Sequence, residues 1–115
     1  MSTEEPDLAA TQDALVQNWS IVPVAPETEG FGREALLEAL KQRVLYLIQH
    51  DFNRLMTAMY ILDVAEERFK AAMATPGGLD NAAKAVAEVI LEREMQKVIT
   101  RQKYRNVYSI EDLSS

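Results

Sequence analysis

Cysteine is absent from the chain, and histidine occurs only once, at His50. Without cysteine the chain can form neither a disulfide nor a thiolate metal site, so the small secreted proteins that disulfides hold together are excluded. A single histidine also removes the paired-histidine motifs of metalloproteases and di-iron bundles. Stability must therefore come from packing, and we expect no metal or other cofactor.

Long apolar runs are missing as well. No stretch approaches the roughly 18 uninterrupted apolar residues that span a bilayer, and the opening MSTEEPDLAATQD lacks the basic and apolar regions of a signal peptide. We therefore expect a cytoplasmic protein without a membrane partner. The apolar share of 48% and the charged share of 26% are typical of a folded domain rather than a disordered chain, and 115 residues suit one core.

Basic residues are absent from the first 30 positions, which hold six acids. Residues 31–115 carry twelve acids and twelve bases, so the formal net charge of −6 belongs to the N-terminal segment. Pro23 and Pro26 favour an extended path there, although residues 8–18 show some helical periodicity. We predict an acidic, partly extended N-terminal arm over residues 1–30, anchored by Trp19, a helical bundle over 31–105 and a short C-terminal tail over 106–115.

The first convincing helical periodicity begins after Gly32, the expected N-cap of the first bundle helix. Apolar residues recur every three or four positions over residues 33–49 and again over 52–62, which predicts a helix in each range. Asp51 can cap the second of these helices. The chain could instead continue through His50 as one long, bent helix, because neither glycine nor proline separates the two ranges.

Two more helices are predicted further along the chain. Asp63 followed by Glu66 fits a capping box, so one helix is expected to begin at Val64 and end near residue 74. The sequence TPGG at 75–78 must then turn, since proline and glycine end helices. The last helix is predicted over residues 82–104. The expected fold class is all-α, a small bundle of three to four helices.

No arrangement of residues predicts catalysis. His50 and Asp51 are adjacent, and adjacent residues of a helix do not face one another. No serine lies in a nucleophile-elbow sequence, and the glycine pair at 77–78 is not a phosphate-binding loop. We therefore expect a protein that is not an enzyme. Three pairs of neighbouring acids are expected to be solvated on polar surfaces: Glu66 and Glu67, Glu92 and Glu94, and Glu111 and Asp112.

The most suggestive feature is a basic run near the C-terminus, with five cations in thirteen residues. Arg93, Lys97 and Arg101 are four residues apart, which places them on one helix face where like charges repel. Carboxylates from the acidic arm of the same or a neighbouring molecule would relieve this repulsion. The predicted interaction surface combines the basic run with nearby aromatic residues: Arg93, Lys97, Arg101, Lys103, Arg105, Trp19, Tyr104 and Tyr108.

Three interpretations of this surface stay open. The one favoured for the protein as a whole is a non-catalytic interaction or regulatory module whose partner is a protein, either a different one or a second copy in a homodimer, although solvated cations are the favoured interpretation of the basic run taken alone. The last helix, at about 35 Å, is long enough to reach a second subunit. Tyr104 and Tyr108 beside cations would also suit a nucleic acid, although the acidic net charge disfavours one. In the third, the cations are simply solvated and stabilised by the helix dipole.

Two segments resemble the body of a group of short bacterial helical proteins with no assigned function. They are DFNRLMTAMYILDVAEERF at 51–69 and ILEREMQKVITRQKY at 90–104. The resemblance implies a helical body that ends in a basic helix, and it brings no activity, ligand or catalytic residue. The shared residues are Asp51, Phe52, Tyr60, Asp63, Val64, Glu66, Arg93, Gln96, Lys97, Arg101 and Gln102.

Overall fold

The computed structural model describes the backbone of residues 7–114 and the side chains of residues 7–105. Within this range there are five helices and no strand, which confirms the predicted all-α class. The predicted count of three to four helices is too low, because the N-terminal segment forms a well-packed helix of its own. The helices are α1 (Leu8–Trp19), α2 (Arg33–His50), α3 (Phe52–Leu62), α4 (Glu66–Met73) and α5 (Leu79–Ser114).

Local capping explains both ends of α1. The Asp7 carboxylate accepts a hydrogen bond from the backbone N–H of Ala10 at 3.0 Å and so satisfies one of the free donors of the first turn. The helix ends at Ser20, whose left-handed φ of 58° turns the chain away. Leu15 and Trp19 are buried in the common core, so the range that the sequence set apart as an arm contributes to the bundle's core.

The chain after α1 is held by a side chain of α1 itself. The Gln12 amide accepts from the backbone N–H of Val24 at 2.9 Å and donates to the Val24 carbonyl at 2.7 Å. These two bonds stand in for a strand partner and fix the segment between Ser20 and Pro26, which forms no helix. Ile21, in the same segment, is buried. The extended path that the prolines predicted is therefore tied to the bundle.

The break between α2 and α3 is confirmed. Asp51 is both the C-cap of α2 and the N-cap of α3. Its carboxylate accepts a hydrogen bond from the backbone N–H of Arg54 at 3.2 Å. The continuous bent helix is thereby excluded. Gly32 precedes α2 in an extended conformation, as expected for its N-cap.

The predicted capping box at Asp63 and Glu66 is wrong. Asp63 has a φ of 64° and ends α3, and its backbone N–H donates to the carbonyl of Tyr60 at 3.1 Å. Ala65 occupies the N-cap position of α4 and makes no side-chain capping bond. Aspartate is one of the few residues that adopt left-handed backbone angles readily, so its presence before a helix has two structural explanations.

The turn at residues 75–78 is confirmed, and α5 is longer than predicted. Gly77 and Gly78 both have positive φ, and α5 begins directly after them rather than at residue 82. It continues to Ser114 rather than ending at Tyr104, because residues 105–114 include no proline or glycine to interrupt it. The range predicted as a tail thus has a helical backbone, and its side chains lie outside the described residues.

Helix α5 is the centre of the bundle, since it contacts each of the other four helices. Its start is joined to α2 by an ion pair of 2.8 Å between Lys41 and Asp80, and this hydrogen bond to Asp80 raises the pKa of Lys41 above its usual value. Over the described residues, no helix has the length and apolar character that a membrane-spanning segment requires. The inward face of α5 consists of Ala82, Ala83, Val86, Ala87, Ile90, Leu91, Glu94 and Val98.

Replacing Asp63 distinguishes the two explanations of its role. As a left-handed C-cap, the position favours glycine, and we expect Asp63→Gly to be more stable than Asp63→Ser by about 1 kcal/mol. An N-cap would reverse this order, because serine caps better than glycine. Urea unfolding followed by circular dichroism gives both free energies, and a more stable serine variant would contradict the assignment.

Candidate functional site

A groove of about 710 Å³ lies between the end of α1, the second half of α3 and the middle of α5. Helix α5 provides a basic wall, α3 an apolar wall, and α1 closes one side. We call this depression the basic groove. It is lined by Gln17, Asn18, Trp19, Ala58, Ile61, Leu62, Arg93, Glu94, Lys97, Thr100 and Arg101.

The floor of the basic groove includes a buried carboxylate. Glu94 is 1% exposed, and its Oε2 accepts from Trp19 Nε1 at 3.0 Å and from Asn18 Nδ2 at 3.2 Å. A buried carboxylate is tolerated only when donors replace its lost hydration. The two donors sit side by side at the end of α1, so this contact attaches α1 to α5.

The burial of Glu94 corrects the expectation that it is solvated beside Glu92. Its position follows from the helix period: Ile90 lies four residues before it and Val98 four residues after it, and both are buried. That register was a signal that could have placed Glu94 on the inward face. Glu92 is exposed, as expected, and pairs with Arg68 at 2.8 Å.

The three cations predicted to share one face do line the basic groove together, but they are not equivalent. Arg93 is bonded to the end of α3. Its Nε donates to the carbonyl of Leu62 at 3.1 Å, and its guanidinium lies 3.6 Å from the Asp63 carboxylate. Among the described side chains, Lys97 and Arg101 form no ion pair. Arg101 Nε donates only to the backbone carbonyl of Lys97, at 3.3 Å. No described carboxylate therefore neutralises these two charges.

The opposite wall is apolar and belongs to α3. Ile61 is 72% exposed beside the groove, next to Ala58 and the buried Leu62. Tyr60, its neighbour on the outer side, is 86% exposed. Ile61 is therefore the exposed apolar side chain of the basic groove, opposite the row of cations.

A second, smaller depression of about 400 Å³ lies on the other side of α3. It is formed between α3 and α4 and is predominantly apolar, with Met56, Tyr60 and Phe69 in its lining. Tyr60 therefore stands on the ridge between this depression and the basic groove. We do not assign it a ligand of its own, since it has no row of charged groups that selects one.

The other predicted surface residues lie elsewhere. Trp19 is 3% exposed, so it is a structural part of the groove floor rather than a free aromatic surface. Lys103, Tyr104 and Arg105 are exposed further along α5, beyond the groove lining. The side chain of Tyr108 lies outside the described residues.

Over the part of the chain that the structure describes, the acidic N-terminal segment contacts α5 through hydrogen bonds with uncharged amide and indole donors rather than through ion pairs. Besides the Glu94 contact, Asp7 Oδ2 accepts from Gln102 Nε2 at 3.3 Å. Asp13, Glu27 and Glu29 are exposed and form no ion pair with the basic row among the described residues. The N-terminal segment therefore contacts α5, but among the described residues its carboxylates do not give the predicted neutralisation of Lys97 and Arg101.

His50 lies outside the basic groove. It is exposed at the end of α2, where its ring packs against Tyr46 with the ring centres 4.6 Å apart. Over the side chains that the structure describes, no group of three or more histidine or acidic residues is arranged to hold a metal ion. The groups that the groove presents are two cations, an apolar wall and a buried carboxylate on its floor.

Removing the indole donor tests the floor of the groove. Trp19→Phe leaves the Glu94 carboxylate buried with one donor fewer, and we expect a loss of about 1–3 kcal/mol in the free energy of unfolding. Glu94→Met should cost a similar amount because it leaves the Trp19 N–H unpaired. The double variant should lose much less than the sum of the two, and additive losses in urea titrations would show that the pair does not interact.

Comparison with known proteins gives no match: no family model, curated protein or solved structure is significantly similar to this chain. The resemblance to short bacterial helical proteins stays a prediction.

Proposed function

We propose that this chain is a cytoplasmic, non-catalytic interaction module that binds an acidic, amphipathic helical segment of a protein in the basic groove. The observation that carries this proposal is the arrangement of the two walls. Lys97 and Arg101 stand on one wall without an ion pair among the described side chains, and Ile61 is exposed on the other.

The spacing of the cations favours a helical ligand. Arg93, Lys97 and Arg101 follow one another every four residues, so successive Cα atoms are about 6 Å apart along α5. Carboxylates spaced four residues apart on a partner helix repeat at the same interval. Apolar residues on an adjoining face of that helix would contact Ile61, which is the arrangement of helix-in-groove recognition.

The groove suits a nucleic acid less well. One wall is apolar, the floor holds the Glu94 carboxylate, and Arg93 is already bonded to the end of α3. A phosphate backbone would find two cations there that are not already engaged with α3. An enzyme is also disfavoured, because His50 is exposed on a different part of the surface and the carboxylate in the groove lining, Glu94, is bonded to Trp19 and Asn18.

The proposal is tested with a synthetic helical peptide of about 18 residues that has glutamates on one face and leucines on the next. We expect it to bind the full chain and to shift the amide signals of residues around Lys97, Arg101 and Ile61 in heteronuclear NMR spectra. The double reversal Lys97→Glu with Arg101→Glu should weaken binding at least about tenfold, or about 1.4 kcal/mol.

Two controls make the result specific. Lys84→Glu reverses an exposed charge of α5 outside the groove and should leave peptide binding unchanged. A peptide with lysine in place of every glutamate should not bind. Equal binding of both peptides would contradict the proposal, and tight binding of a single-stranded oligonucleotide with a steep salt dependence would favour the nucleic-acid alternative instead.

A further inference from the structure

Helix α5 extends well past the core that supports it. Among its described side chains Val98 is the last one buried, yet the helical backbone continues for another sixteen residues to Ser114. In proteins most of the stability of a helix comes from packing against other elements rather than from intrinsic propensity. This extension is therefore a surface that a second molecule would stabilise.

The extension has opposite charges at its two ends. Its first half holds Arg101, Lys103 and Arg105, Lys97 lies two residues before it, and the acids Glu111 and Asp112 follow near its end. After eighteen residues, or five turns, a regular helix returns to the same angular position. Position 111 is eighteen residues after Arg93, which places it in register with the row that lines the basic groove.

We infer that the occupant of the basic groove is the end of α5 from a second copy of this chain. Two copies lie antiparallel about a two-fold axis close to Tyr104, so that position 111 of each faces Lys97 of the other, with Arg101 one turn away. This inference rests on the proposed function, because it names the acidic helical segment that the groove receives. It makes each groove incomplete until the partner copy contributes its helix end.

Charge complementarity and symmetry support this pairing. Lys97 and position 111 are each seven residues from Tyr104, so one two-fold axis satisfies both contacts at once, as an isologous interface requires. The sequence around the acids, VYSIEDL at 107–113, also supplies apolar residues for the wall formed by Ile61. The chain thus contains, at 107–113, an acidic helical segment of the kind that the proposed function assigns to the basic groove.

Sedimentation equilibrium of the full chain and two charge-reversed variants tests the pairing. The wild-type chain is expected to be a dimer. The groove variant, Lys97→Glu with Arg101→Glu, and the helix-end variant, Glu111→Lys with Asp112→Lys, each place like charges together, and each should have a dimer dissociation constant raised at least tenfold. Mixing the two variants restores opposite charges at both contacts, so an equimolar mixture should form a heterodimer.

The matched controls are Lys84→Glu and Glu88→Lys, two exposed positions of α5 outside the groove lining, which should leave the dimer intact. Circular dichroism of every variant shows whether the helices are retained. A monomeric wild-type chain, or a dimer that neither reversal weakens, would overturn the inference. Because the acidic peptide can still bind a monomer, that outcome is separate from a failure of the proposed function, in which the peptide does not bind.

Discussion

The hydrogen bonds between Trp19, Asn18 and Glu94 are the constraint on which the groove depends. A carboxylate in an apolar core needs donors at fixed positions, and here both come from the last turn of α1. The end of α1 is therefore fixed against α5. Arg43 of α2 donates to the Trp19 carbonyl at 2.9 Å, so the same residue also joins a third helix. One wall of the groove is positioned by these bonds.

The opposite wall is positioned by a cation of the basic row itself. Arg93 bonds the carbonyl of Leu62, and the left-handed Asp63 directly after it ends α3 at that point. Arg93 thereby determines where α3 stops relative to α5. The row that looks uniform in sequence consists of one structural cation, Arg93, followed by Lys97 and Arg101, which form no ion pair among the described side chains. Arg93 thus attaches α3 to α5, while Lys97 and Arg101 keep their charged groups on the groove surface.

The parts of the fold that depend on local sequence could be predicted, and those that depend on distant partners could not. The break at Asp51 and the turn at Gly77 and Gly78 follow from capping and backbone preferences. The prediction at Asp63 was wrong because aspartate can act as an N-cap and can also adopt the left-handed conformation of a C-cap. Glu94 was missed because its burial depends on donors 75 and 76 residues away, even though its register with Ile90 was visible.

The predicted row of cations is brought together in one groove, but helical spacing alone could not reveal the wall opposite. Ile61 lies within a stretch, AMYIL, that contains three strongly apolar residues, and only the packing of α3 on α5 shows which of them stay exposed. Rigidity then limits how the charges of α5 can be neutralised. Lys97 and position 111 are separated by fourteen helical residues, or about 21 Å, and a continuous helix cannot fold back to join them. Lys97 and position 111 can therefore meet only between molecules, as the inferred pairing of two copies requires.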